Sequence, residues 1–327
     1  MKLKMMNWVK VMALVAGVSL AMTSCNNDNN VDPGKGQVEF QITDSPSNDA
    51  NISGVFVTVT EVRVDGKAIS GFSKQTVNLK ALQNGVTKVL GTTELAAKSY
   101  GTISLVLDLD SDENGNAPGS YVQTTDNIKY KLGNSTNTSG TIEVALSKTW
   151  EVKNQATTQL IFDFNLDKAI KYSDNTSIRY RFVSATNLAA AVRMVSKSEA
   201  ATVKGTYTES TASNAAKVVV YAYKKGTYNA STETIPQGDD AIMFKNAISS
   251  TTVVTGLAGN TYSLAYLDLG EYELHFARYD NESATNRFIF KTILPAELKL
   301  NGSVVSTINI QSNADITLAA TISGTPL

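Results

Sequence analysis

The chain has 327 residues, 42% hydrophobic and 18% charged, with a formal net charge of −1 at pH 7. This near-neutral balance, without any Lys/Arg cluster, makes nucleic acid and anionic membrane surfaces poor candidate partners. The single cysteine (Cys25) excludes an internal disulfide, and with a single histidine (His275) the chain lacks the Cys/His set of a typical zinc site.

Residues 1–24 are predicted to be a signal peptide. Lys2, Lys4 and Lys10 precede an uncharged apolar stretch over residues 11–22. These proportions are typical of a secretory signal, because a membrane-spanning helix needs about 20 apolar residues. Removal of this segment leaves 26 basic and 30 acidic side chains, a net charge of −4.

The end of the apolar stretch, Thr23-Ser24-Cys25, resembles the lipobox of bacterial lipoproteins, in which the cysteine sulfur is diacylated. Met22 stands where leucine is usual in that pattern. Two or three acyl chains anchor a protein stably, since each buried CH₂ contributes roughly 0.8 kcal/mol. We therefore predict lipidation at Cys25 and a membrane partner through this anchor.

Residues 25–35 are rich in Asn, Asp and Gly and are predicted to form a flexible tether. The segment is similar to the polar stretches with which some Gram-negative lipoproteins reach the outer face of the outer membrane. The predicted location is the outer membrane with the body on the cell surface. The alternative is the periplasmic face of that membrane.

From residue 36 onwards, short segments alternate between apolar and polar residues. SLVLDLD (104–110) places Leu105, Leu107 and Leu109 on one face, and QLIFDFNL (159–166) follows the same pattern. Such alternation, separated by Gly, Asn, Asp and Ser, predicts an all-β chain with two antiparallel β-sandwich domains in tandem.

Local signals refine this prediction. A change of apolar phase in GVFVTVTEVRV predicts a β-bulge between Thr60 and Glu61, and Asp65-Gly66 predicts a hairpin turn. LKALQNG (79–85) is consistent with one helical turn, whereas residues 185–203 are predicted as strand and linker. A boundary near SKSEA divides the chain into domains at 36–197 and 198–327.

GQVEFQITDSPSNDANISGVFVTVTEVRV, followed by TISLVLDL, SGTIEVAL and QLIFDFNLDKAI, resembles a bacterial lipoprotein family called domain of unknown function 4382. The resemblance covers about residues 36–197. It implies a secreted, lipid-anchored β-sandwich, without implying an activity.

KVVVYAYKKG (217–226) and LDLGEYELHFARYD (267–280) resemble the transthyretin-like or carboxypeptidase-regulatory-like β-sandwich. The resemblance implies a spacer, an adhesion module or a fimbrial subunit for the second half.

DLDSDENGNAPGSY offers a candidate metal site. Asp110, Asp112, Asn114 and Gly115 fit the first half of a calcium loop, because a hard cation prefers several oxygen side chains on a tight turn. The twelfth position, where the pattern has Glu, is Tyr121. The alternative is a solvated hairpin loop, so calcium is the one cofactor considered and none is otherwise expected.

Tyr221 and Tyr223 are candidate ligand-binding residues, since exposed tyrosines on a sheet stack on sugar rings. The alternative is that both are strand-surface or second-layer packing residues. His275 alternates with Leu274 and Phe276, which predicts an outward-facing surface histidine.

These features predict a non-enzymatic envelope protein for surface adhesion or ligand binding, with a glycan or protein as the ligand. The first alternative is a fimbrilin-like subunit that self-assembles by exchange of its last strand, INIQSNADITLAATI. The second is a glycan-binding module beside an outer-membrane transporter. Asp108, Asp110, Asp163 and Asp167 are predicted to lie on outward strand faces without a cleft, which disfavours a hydrolase.

Overall fold

The computed structural model describes residues 34–45, 49–173, 178–209 and 216–322. The predicted signal peptide, most of the tether and Cys25 lie outside these residues. Among the described residues, none of the helices has the length and apolar character needed to cross a membrane.

The first half forms a sandwich of two sheets around one hydrophobic core. A four-stranded sheet has the order β13-β10-β1-β5, and a second sheet has the order β8-β7-β2-β6-β9, with β3 and β4 also paired to β2. The described elements are β1 (Lys35–Ser45), β2 (Ile52–Val64), β3 (Lys67–Ala68), β4 (Gln75–Asn78), a 3-10 helix (Leu79–Leu82), β5 (Lys88–Ala96), β6 (Ser99–Asp108), β7 (Tyr121–Thr124), β8 (Lys129–Lys131), β9 (Thr141–Glu151), β10 (Thr157–Asn165), α1 (Leu166–Ala169), β11 (Ile170–Tyr172), β12 (Tyr180–Phe182), α2 (Ala185–Ala190) and β13 (Val192–Ser196).

Alternation along the strands explains this core. Val38, Phe40 and Ile42 of β1 are fully buried together with Leu105 and Leu107 of β6. Burial of a side chain of this size contributes about 1.5–3 kcal/mol, so the alternating positions of both sheets stabilise the sandwich.

The local predictions for this half are confirmed in three places. The β2–β6 pairing shifts register between Val59 and Glu61, as a bulge requires. Asp65 and Gly66 both have positive φ and connect β2 to β3, which is typical of a type I′ hairpin. The predicted helical turn is the 3-10 helix Leu79–Leu82.

The prediction of strand and linker for residues 185–203 was wrong at its start. Ser184 caps helix α2 by accepting a hydrogen bond from the backbone N–H of Asn187. Alanine and leucine then favour the helix for six residues, although a helix this short has no long apolar stripe. The strand β13 follows directly.

The second half is a further sandwich with its own core. A six-stranded sheet has the order β17-β18-β14-β24-β21-β22, and the facing sheet has the order β16-β15-β19-β20, with β23 paired to β19. The described elements are a 3-10 helix (Lys197–Glu199), β14 (Ala200–Glu209), β15 (Ala216–Lys224), α3 (Ala230–Glu233), β16 (Ser249–Thr252), β17 (Val254–Gly256), β18 (Gly259–Asp268), β19 (Gly270–Glu282), β20 (Arg287–Leu294), β21 (Ala296–Leu300), β22 (Ser303–Val305), β23 (Ile308–Ile310) and β24 (Ile316–Ile322).

The all-β class is confirmed, but in the described part of the chain two strand pairs are parallel rather than antiparallel: β1 with β10, and β14 with β24. The last strand, β24, lies between β14 and β21 in its own sheet, with Leu318, Ala320 and Ile322 buried. To be donated to another copy it must therefore leave two neighbours and a core.

A third layer lies on the sheet that contains β15. Residues 225–248, here called the cover segment, pack Phe244 and Ala247 against Val219, Tyr221 and Tyr223. Strand β15 is thus buried on both faces. The cover segment connects β15 to β16 within the second half of the chain. The predicted boundary at residue 197 stays a prediction.

Candidate functional site at the seam between the sandwiches

Arg193 of β13 forms a nearly buried ion pair with Asp163 inside the first sandwich, and its hydrogen bonds reach the second sandwich. Its guanidinium lies 2.5 Å from the carboxylate of Asp163 on β10, and it donates hydrogen bonds to the carbonyls of Tyr266 (2.6 Å) and Ala265 (3.1 Å) in the second sandwich. Burial raises the pKa of Asp163, and the charge of Arg193 offsets this rise only in part. We call the contact region between the sandwiches the seam.

Two lysines also connect the segments at the seam. Lys168 of α1 is almost fully buried and donates to the carbonyls of Lys245 (2.8 Å) and Ala247 (2.5 Å) in the cover segment. Burial lowers its pKa to about 8. Lys148 of β9 donates to the Met194 carbonyl (2.9 Å) and forms an ion pair with Asp268.

The cover segment also contacts the first sandwich. Asp240 accepts hydrogen bonds from the Ser184 N–H and the Asn187 side chain, both at 2.8 Å, at the start of helix α2. Ile242 is buried in the core of the first sandwich, while Phe244, two residues later, packs against the second. The segment therefore couples the two halves by polar and apolar contacts.

A cleft of about 560 Å³ lies where these three parts meet. Four cationic residues and two carboxylates line it, so positive charge is in excess. The small side chains of helix α2 and its C-terminal end form an apolar part of the wall. The charged lining residues are Lys148, Lys168, Arg193, Lys245, Asp163 and Asp268, and the small ones include Ala189, Ala190 and Ala191.

The interpretation of Tyr221 and Tyr223 as exposed stacking residues was wrong. Their exposed fractions are 3% and 0% because the cover segment lies over them. Tyr221 stacks on Phe244 with ring centroids 4.1 Å apart, and Tyr223 donates a hydrogen bond to the buried Glu233 at 2.9 Å. The rings belong to a second core on the other face of the sheet, which confirms the alternative of second-layer packing.

His275 lies on the same side of the sheet as these tyrosines, which agrees with its alternation. It is half-buried rather than open to solvent, because the ring of Tyr228 stacks on it with centroids 3.6 Å apart. Loss of solvation lowers the pKa of His275, although Glu273 opposes this change.

The carboxylates of the predicted calcium loop bind groups of the protein itself. Asp110 accepts from Lys131 at 2.6 Å and from the Gly140 N–H at 2.7 Å. Asp112 accepts from the N–H groups of Asn114 (2.9 Å) and Asn116 (2.8 Å), in a turn that needs no ion. Within the described ranges, no group of three or more His, Cys, Asp or Glu side chains is arranged to hold a metal, and calcium at this loop stays a prediction.

The seam was not predicted from the sequence. Asp163 was predicted on an outward strand face, and it is on that face, but the second sandwich covers it and leaves it 6% exposed. The partners of Arg193, Lys168 and Lys148 lie 30 or more residues away in the chain. The one local signal is an unusual polar residue, Asp163, inside a strongly apolar strand.

Residues 35–182 match the family model "Domain of unknown function (DUF4382)". This confirms the resemblance of the first half, which was predicted for residues 36–197. The resemblance of the second half to transthyretin-like domains stays a prediction. A search of the curated proteins finds no match for the chain.

Solved structures with similarity include a leucine-rich repeat protein from Bacteroides thetaiotaomicron (11% identity, TM-score 0.23), the Bacillus anthracis TIE protein (11%, 0.16) and the major pilin T-13 of Streptococcus pyogenes (10%, 0.20). Each match covers 89% of this chain; it covers 26%, 34% and 99% of the respective structure. The chain thus spans about a third or less of the first two proteins. At TM-scores below 0.5, these similarities carry no argument on fold or function.

Proposed function

We propose that the chain is a non-enzymatic, lipid-anchored cell-envelope protein that binds a small acidic ligand in the seam cleft. The observation that carries this proposal is the excess of cationic side chains around an open volume of about 560 Å³. Sites for small ligands usually measure about 300–1,000 Å³, whereas a protein partner needs a broad surface. The cleft therefore suits one or two sugar rings better than a folded partner.

The cationic residues of the cleft differ in how accessible their charged groups are to a ligand. Arg193 and Lys168 are nearly buried and donate to protein acceptors. Lys148 also donates to the Met194 carbonyl and pairs with Asp268, but its side chain is 41% exposed, and Lys245 is exposed at the rim. Lys245 and Lys148 are therefore the groups proposed to meet the carboxylate of a sugar acid, while the alanines of α2 allow the ring to approach closely.

The proposed cellular location rests on the predicted lipidation of Cys25 and on the polar tether. Strand β1 begins at Lys35 and ends at Ser45, which lines the cleft. An eleven-residue strand rises about 36 Å, so the cleft lies that far from the start of the body. We propose attachment to the outer membrane with the body outside the cell, and the periplasmic face remains the alternative.

Charge reversal at the rim tests the proposed ligand. On an array with neutral and carboxylate-bearing glycans, wild-type protein is expected to bind the acidic members selectively. Lys245→Glu is expected to bind them about tenfold more weakly or worse, because it replaces an attraction by a repulsion. Lys225→Glu is the matched control, since Lys225 is also exposed in the cover segment, pairs with Glu271 and does not line the cleft.

Two outcomes would contradict the proposal. One is an array without binding to any acidic glycan. The other is binding that Lys245→Glu and Lys225→Glu weaken equally, which would show only a general effect of net charge.

A further inference from the structure

Asp44, the penultimate residue of β1, is a buried carboxylate that forms no ion pair with the described residues. Its exposed fraction is 4%, and neither of its oxygens has a hydrogen bond of normal geometry to the described residues. Burial raises its pKa, and the charges of Asp163 and Asp167 raise it further. The Leu166 N–H and the Gln83 side chain oppose this rise only in part.

The surroundings of Asp44 form a small oxygen-rich cavity of about 10 Å³ at the seam. A volume of this size holds about one water-sized guest. Asp44 and Asp163 line it from the first sandwich, and Ser249, Ser250 and Thr251 line it from the second. The site is adjacent to the ligand cleft but separate from the loop of Asp110 and Asp112.

Among the described residues, the cations nearest to Asp44 are bonded to other groups, although the charge of Asp44 acts on Lys80. Arg193 is bound to Asp163, and Lys80 donates to the carbonyl of Ile52. An isolated buried carboxylate is costly, by several kcal/mol even after relaxation, so it needs a proton or a counter-ion. The neighbouring hydroxyl and carboxylate oxygens are the donor atoms that a hard cation prefers.

We propose that Asp44 anchors a buried Ca²⁺ site that links the two sandwiches. Ca²⁺ accepts irregular sets of oxygen ligands, which suits one carboxylate with serine and threonine hydroxyls. Mg²⁺ fits less well because it retains several waters, for which a cavity of about 10 Å³ has no room. The ion joins the end of β1 to β16, so its binding stabilises the seam.

Thermal unfolding of the full chain in detergent tests this site. After treatment with EDTA, addition of 1 mM CaCl₂ is expected to raise the Tm of the wild type by about 3 °C or more, because the ion binds only the folded state. Asp44→Asn is expected to abolish this shift. Asp112→Asn, in the exposed loop, is the matched control and is expected to keep it.

Ser250→Ala provides a second variant if Asp44→Asn does not fold, and it is expected to reduce the shift. The proposal is overturned if calcium leaves the wild type unchanged, or if Asp112→Asn rather than Asp44→Asn removes the shift. If calcium has no effect and Asp44→Asn is also more stable than the wild type, Asp44 is buried as a neutral acid instead.

Discussion

Arg193→Ala is expected to lower the free energy of unfolding by about 3–5 kcal/mol in urea denaturation, because it leaves Asp163 buried without its counter-charge. The side chains of the pair are 18% and 6% exposed. The same substitution removes hydrogen bonds to the carbonyls of Ala265 and Tyr266 across the seam. The loss is therefore larger than that expected for an ion pair at the surface.

Lys204→Ala is the matched control for this prediction. Lys204 also forms an ion pair between distant residues, with Asp315 at 2.6 Å, but both side chains are about half exposed. Its removal is expected to cost at most about 1 kcal/mol. Addition of Asp163→Asn to Arg193→Ala is expected to restore part of the lost stability. If Arg193→Ala cost no more than Lys204→Ala, the seam would not depend on this ion pair.

Phe244→Ala is expected to cost about 3–5 kcal/mol and to detach the cover segment from the sheet. Phe244 is 1% exposed, stacks on Tyr221 and contacts the edge of Phe290 with ring centroids 5.3 Å apart. Its loss removes the centre of the third layer. Limited proteolysis is expected to cut at Lys245 sooner than in the wild type.

Leu257→Ala serves as the control for Phe244→Ala, since Leu257 is fully exposed at the β17–β18 turn. Its effect is expected to lie within about 0.5 kcal/mol. Equal stability and equal proteolysis of the two variants would contradict the role of the cover segment as a packed layer.

The sequence was sufficient for features that depend on local alternation. The core positions of β1 and β6, the bulge after Val59 and the Asp65-Gly66 turn follow from periodicity and turn chemistry. The parallel pairs could not be predicted in this way, because alternation does not determine which strand lies beside β1 or β14.

The candidate site depends on contacts between distant segments, which no local pattern records. The cover segment has no helical or strand period, so Tyr221 and Tyr223 were interpreted as exposed. Asp163 and Asp44 lie on the seam because a second sandwich packs there. A polar residue within an apolar strand is the one sequence feature that would have pointed to such a contact.

Trypsin treatment of intact cells tests the proposed surface protein most directly, with wild-type protein compared with Cys25→Ala. A surface lipoprotein predicts that the wild type is cleaved on whole cells, and that the variant without its acyl anchor is not retained on them. Wild-type protein that stays intact until the cells are lysed would contradict this account. The cleft would then face the periplasm, where it could not meet a ligand outside the cell.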